Sequence, residues 1–122
     1  MRWFIYVLMA VLLVGCSVAG FSAQSSQYRI QVTLDTAGIG KRTLTLTLTD
    51  LQNNPVSDAT VMVTPIMPQH GMLGVPQAMR ATGNGVYQLD ALDLTMTGEW
   101  QLQYEIKRNG QRDTLTLPIT IN

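Results

Sequence analysis

Three side chains within one short stretch could hold a soft metal ion: Met67, His70 and Met72, in the run M-P-Q-H-G-M. Thioethers are soft ligands that prefer Cu(I), and imidazole also binds copper. His70 is the chain's single histidine. Pro65 and Pro68 stiffen the backbone on one side of it, and Gly71 lets the chain turn so that the flanking sulfurs could converge. Met96 is a candidate fourth ligand if its strand end meets this loop, and Met62 and Met79 are further sulfurs to place. Zinc suits the set less well, because a structural zinc site uses four Cys- or His-type ligands. The competing reading is plain packing. Methionine fills gaps in cores, and a histidine on an exposed loop commonly has no role.

Other chemistry has little material here. The carboxylates Asp35, Asp50, Asp58, Asp90, Asp93, Glu99, Glu105 and Asp113 are scattered at turns and outward strand positions, whereas general acid–base catalysis needs titratable groups placed together. One histidine and one cysteine leave little from which to build a Ser-His-Asp or Cys-His arrangement. Gly83-Asn84-Gly85 is too short for a phosphate-binding glycine loop. Lys and Arg total 8 and Asp and Glu total 8, giving a formal net charge of zero, so nucleic acid is not an expected partner. No catalytic activity is expected.

The N-terminus carries an address. Met1-Arg2 is a minimal positive start, Trp3 to Val14 is an uninterrupted apolar run, and Leu13-Val14-Gly15-Cys16 closes it. That pattern is an export signal, and its end resembles the lipobox of bacterial lipoproteins. The resemblance implies removal of residues 1–15 as a signal peptide and acylation of Cys16 as the mature first residue. Membrane lipid is then a partner through Cys16, since two or more acyl chains anchor stably. Ser17 beside the cysteine resembles lipoproteins sorted to the outer membrane. The alternative is an uncleaved membrane helix from Trp3 to about Phe21. Either way, the residues beyond Ser26 are expected outside the cytoplasm, facing the periplasm. Residues 16–27 are small and polar and read as a tether.

Residues 28–122 must then position the loop. Tyr28, Ile30, Val32 and Leu34 alternate with polar residues, as do Leu44, Leu46 and Leu48. The same alternation recurs through Trp100, Leu102, Tyr104 and Ile106, and again through Leu115, Leu117, Ile119 and Ile121. Period two is the signature of a strand with one buried face. Val61 to Thr64 is expected to be a strand broken at Pro65. Gln77 to Ala81 reads as a short strand, and Val86 to Leu94 as a strand bent near Ala91. Asn109-Gly110 is a strong hairpin signal, and Pro118 favours an edge strand. About seven short strands without a helical period predict an all-β fold. We expect a single immunoglobulin-like antiparallel β-sandwich, preceded by the N-terminal signal or anchor helix.

The order of short motifs adds a resemblance. D-L-Q-N-N-P-V-S-D-A-T-V-M-V at Asp50 to Val63 comes first, with Asn54 where glycine often stands. M-P-Q-H-G-M at Met67 to Met72, G-V-Y at Gly85 to Tyr87 and M-T-G-E-W at Met96 to Trp100 follow in turn. Together they resemble the YtkA-like family of small extracytoplasmic β-sandwich domains, related to the FixH proteins. The resemblance spans roughly Tyr28 to Ile106. It implies an exported or membrane-anchored domain, with copper handling a known association of the family. Two functions are therefore expected to compete. One is Cu(I) binding through Met67, His70, Met72 and Met96. The other is a metal-free interaction module that docks on an envelope protein.

Overall fold

The computed structural model describes residues 19–36 and 38–122. The expected signal peptide (1–15), Cys16 and the start of the tether lie outside the described residues. The chain forms β1 (Ala19–Gln24), β2 (Tyr28–Leu34), β3 (Gly40–Asp50) and β4 (Thr60–Met67), followed by a single 3-10 turn (Pro68–His70). Then come β5 (Met72–Leu73), β6 (Gln77–Ala78), β7 (Arg80–Gly83), β8 (Val86–Leu94), β9 (Gly98–Arg108) and β10 (Gln111–Ile121).

Two antiparallel sheets face each other. One has the order β1-β2-β3-β8-β7 and the other β10-β9-β4-β5, with β6 also on β4. Seven of these strands, β2-β3-β8-β7 and β10-β9-β4, reproduce the A-B-E-D and G-F-C order of an immunoglobulin-like sandwich. The alternating apolar residues read from the sequence meet between the sheets. Ile30, Val32, Leu34, Leu44, Leu46, Leu48, Trp100, Leu102, Tyr104, Ile106, Leu115 and Leu117 are all buried. Complete burial of each such aliphatic side chain is worth about 1.5–3 kcal/mol, so this interface drives the fold.

Turn chemistry fixes the register. Asn109 and Gly110 both take positive φ, 52° and 76°, as a two-residue type I′ hairpin requires. Arg42 and Leu44 on β3 face Leu92 and Leu89 on β8. One extra β8 residue is thereby accommodated, which is the bend expected near Ala91. Pro118 sits on β10, the edge strand of its sheet.

Three expectations need correction. Ala19–Gln24, read as tether, is an edge strand paired with β2 from Ala19↔Leu34 to Gln24↔Arg29. Apart from Phe21 its residues are small or polar, but the ladder supplies their backbone partners, and Phe21 and Ala23 pack on the core. A membrane helix reaching Phe21 is excluded for the same reason, because Ala19, Gly20 and Phe21 are extended and paired. Among the described residues no helix is long and apolar enough to cross a membrane. Finally, β4 does not break at Pro65 but runs on to Met67. The Pro65 carbonyl accepts from the Gly74 N–H at 2.8 Å. A strand residue turns its N–H and C=O to the same side, so the N–H that proline lacks would also have faced Gly74. The ladder to β9 is therefore untouched, and the missing donor falls where the β5–β6 edge is already irregular.

Candidate functional site

The two methionines that flank the turn are direct cross-strand neighbours. Met67 on β4 pairs with Met72 on β5, and paired residues on adjacent antiparallel strands share a face with Cβ atoms about 4.5–5.5 Å apart. Between them Pro68-Gln69-His70-Gly71 closes a four-residue hairpin. Its 3-10 turn begins with proline, whose fixed φ suits a first helical position. It ends at Gly71 in the left-handed region, φ 62°, with the Gly71 N–H donating to the Pro68 carbonyl at 3.1 Å. His70 is exposed on this turn.

The pair is placed unequally. Met67 is completely buried, whereas Met72 is 40 % exposed. Met67 lies under the loop against β9: a Cβ added at Gly98 would come within 3.1 Å of the Met67 Cε. Met96 lies on the connection from β8 to Gly98, at this same end of the sandwich, and its side chain packs partly buried on the core. Its carbonyl accepts a hydrogen bond from the Trp100 indole N–H at 2.9 Å. Trp100 is itself buried between the sheets, so it braces the strand end that carries Met96. A shallow cleft of about 140 Å³ runs beside the turn, between Pro68 and Gln69 on one side and Trp100 and Pro118 on the other.

The structure thus gathers Met67, His70, Met72 and Met96 at one end of the domain. Met72 and His70 face solvent, Met67 is beneath them and Met96 is beside Met67's packing partner Gly98. Met62 and Met79 are elsewhere. Met62 points from β4 to the opposite face from Met67, and Met79 is buried where the chain leaves β6 for the other sheet. Among the described residues no three of His, Cys, Asp and Glu converge, so a soft-metal reading here rests on the thioethers. The donors fit Cu(I) in chemical type, while the burial of Met67 requires the ion to sit at the core's margin.

Sequence reasoning missed the pairing itself. The available signal was the loop length: four residues ending in glycine, between two methionines, fit a hairpin loop. Gly74 was also missed. A Cβ there would meet the Pro65 carbonyl oxygen at 2.6 Å, so only glycine lets the strand after the hairpin approach β4 this closely.

A two-sheet sandwich of this strand order, with a methionine-flanked hairpin at one end, defines a small immunoglobulin-like β domain. The YtkA-like family model matches residues 22–105, and the chain belongs to that family. No curated protein and no solved structure matches the chain.

Proposed function

We propose that the chain is an envelope-anchored lipoprotein whose YtkA-like domain binds Cu(I) through the Met67–Met72 hairpin. In this reading acylated Cys16 fixes the domain to the membrane on its periplasmic side. His70 supplies the nitrogen ligand, Met67 and Met72 the sulfur ligands, and Met96 a fourth donor. The role is one of holding or passing on the ion and is not catalytic. The observation that carries the reading is the cross-strand pairing of two thioethers across a turn bearing the chain's single histidine.

The anchor reading draws support from where β1 begins. A helix starting at Trp3 and ending before Ala19 has 16 residues at most. At 1.5 Å per residue that is about 24 Å, short of the roughly 30 Å hydrocarbon layer. A cleaved signal with a lipid-bearing Cys16 meets no such shortfall.

Competition for Cu(I) against a chromophoric chelator tests the metal site. Wild type should outcompete both His70→Ala and the double variant Met67→Leu/Met72→Leu by at least about tenfold, equivalent to about 1.4 kcal/mol. Leucine for methionine nearly conserves volume and costs less than about 1.5 kcal/mol, so the double variant should fold. Equal, weak binding by all three removes the metal reading. One observation favours a second reading. Met67 is entirely enclosed, as a purely structural residue would be. The domain is then a metal-free interaction module for an envelope protein, presenting the exposed Leu73 and Val75 beside the hairpin.

A further inference from the structure

The ends of the sandwich differ in character. At one end lie Ala19, the β2–β3 loop, the β8–β9 connection and the Met67–Met72 hairpin. The strand pairings place them together: Ala19 faces Leu34, Gly40 faces Leu94, Gly98 faces Ile121, and Met67 faces Met72. This end carries Ile39 and Met72, which are 49 % and 40 % exposed, and beside it Leu73, 74 % exposed, borders the outer face of the second sheet next to Thr64 and Gln103. Ile39 immediately precedes β3, and its loop is held by Arg42. The Arg42 guanidinium donates to the Gly38 carbonyl at 3.0 Å and also to the Ile39 carbonyl. Among the described residues the opposite end exposes no large hydrophobic side chain. It carries the Arg108–Asp58 ion pair at 2.7 Å, the Ser25 hydroxyl bonded to Asp113 and the Asp50 turn.

The chain's route to the lipid leaves from the end that exposes these apolar side chains, which also carries the exposed Asp35, Lys41, Asp93 and Glu99. Ala19 opens β1 there, and two residues, Ser17 and Val18, separate it from Cys16. The three Cα–Cα steps from Cys16 to Ala19 reach at most about 11 Å when fully extended. A lipid on Cys16 therefore brings this end of the sandwich to the bilayer surface, with little slack for the domain to turn over. Exposed aliphatic side chains at such a distance gain by entering the headgroup–acyl boundary, whereas the opposite end gains nothing from it.

We infer that the domain docks on the surface of its own membrane by this end, with Ile39, Met72 and Leu73 in the lipid interface. The inference rests on the anchor reading above. It has a consequence for the hairpin: His70 and Met72 then face the bilayer, so an ion or partner would reach them along the membrane surface.

The test uses the full chain, processed in a bacterial host and reconstituted at one copy per nanodisc of phosphatidylethanolamine and phosphatidylglycerol. Acylation blocks the Cys16 sulfur, so an introduced cysteine is the single free thiol for an environment-sensitive fluorophore. Ile39→Cys, Leu73→Cys and, at the opposite end, Gln111→Cys are labelled separately, and mass spectrometry records acylation of Cys16 in each. The inference predicts blue-shifted emission and quenching by nitroxide-bearing lipid at 39 and 73, with solvent-like emission and no quenching at 111. Solvent-like emission at all three positions on an acylated chain overturns the docking and leaves the anchor standing. Absence of acyl groups on Cys16, with no nanodisc association, overturns both. A blue shift at 39 and 73 that needs two chains per nanodisc means that a second copy covers these residues, and it overturns the lipid assignment.

Discussion

Replacing Tyr104 by phenylalanine should make the domain more stable. Tyr104 points into the centre of the sandwich from β9, with Val63 on β4 and Leu115 on β10 as its cross-strand neighbours. The residue is completely buried, and its hydroxyl has no hydrogen-bond partner among the described residues. A buried polar group left unpaired costs about 1–3 kcal/mol. Phenylalanine removes that cost and keeps the ring, at the expense of the few dispersion contacts made by one oxygen atom. The net expectation is a gain of about 1 kcal/mol, or about 4–8 °C in Tm for a domain of this size. A second signature lies at alkaline pH. Burial pushes the Tyr104 phenol well above its ordinary value of 10.0. The unfolded chain therefore loses this proton first, and the contribution of the protonated phenol is fully present below pH 10 and declines as the pH rises above it. The variant lacks this decline, so its advantage over wild type should widen above pH 10. Urea denaturation of both proteins at pH 7 and above pH 10 measures the two effects. Destabilisation by about 1 kcal/mol or more at pH 7 would refute the reasoning, because it would show that the hydroxyl makes a hydrogen bond of ordinary worth.

Two further outcomes follow from the same structure. Trp100→Ala should cost about 3–5 kcal/mol, the range for deleting a large buried aromatic, and thermal denaturation will read it as a large fall in Tm. Asp50→Asn tests the turn before β4. The Asn54 backbone N–H, the Asn54 side-chain amide and the Gln52 N–H donate to the Asp50 carboxylate and hold it below its ordinary value of 3.8. Its stabilising contribution is thus present above pH 3.8 and lost as the pH falls below it. Wild type should exceed the variant at pH 7 in urea denaturation and approach it in acid.

The framework was legible because its signals are local and repeated. Leu44-Thr-Leu46-Thr-Leu48 or Trp100 to Ile106 can bury one face only as strands, and Asn109-Gly110 can close a tight hairpin at little steric cost. β1 was hidden because Gly20, Ser22 and Ala23 carry almost no strand signal; its pairing comes from the open edge of β2, a tertiary fact. Pro65 misled for a related reason. Proline's missing donor is harmful only when it faces a neighbouring ladder, and sequence does not say which way a strand residue faces. The site was half visible. Residue types marked Met67, His70 and Met72 as soft donors, but the burial of one sulfur and exposure of the other depend on the two faces of β4 and its irregular edge. Gly98 makes room for Met67, a contact that nothing local in the sequence marks.

Copper K-edge X-ray absorption on the Cu(I)-loaded domain tests the proposed site most directly, because it reports the atoms bound to the ion. A first shell of at least two sulfur scatterers and one nitrogen is expected, with sulfur lost in Met67→Leu/Met72→Leu and nitrogen lost in His70→Ala. A shell of oxygen and nitrogen alone, unchanged in both variants, would contradict it.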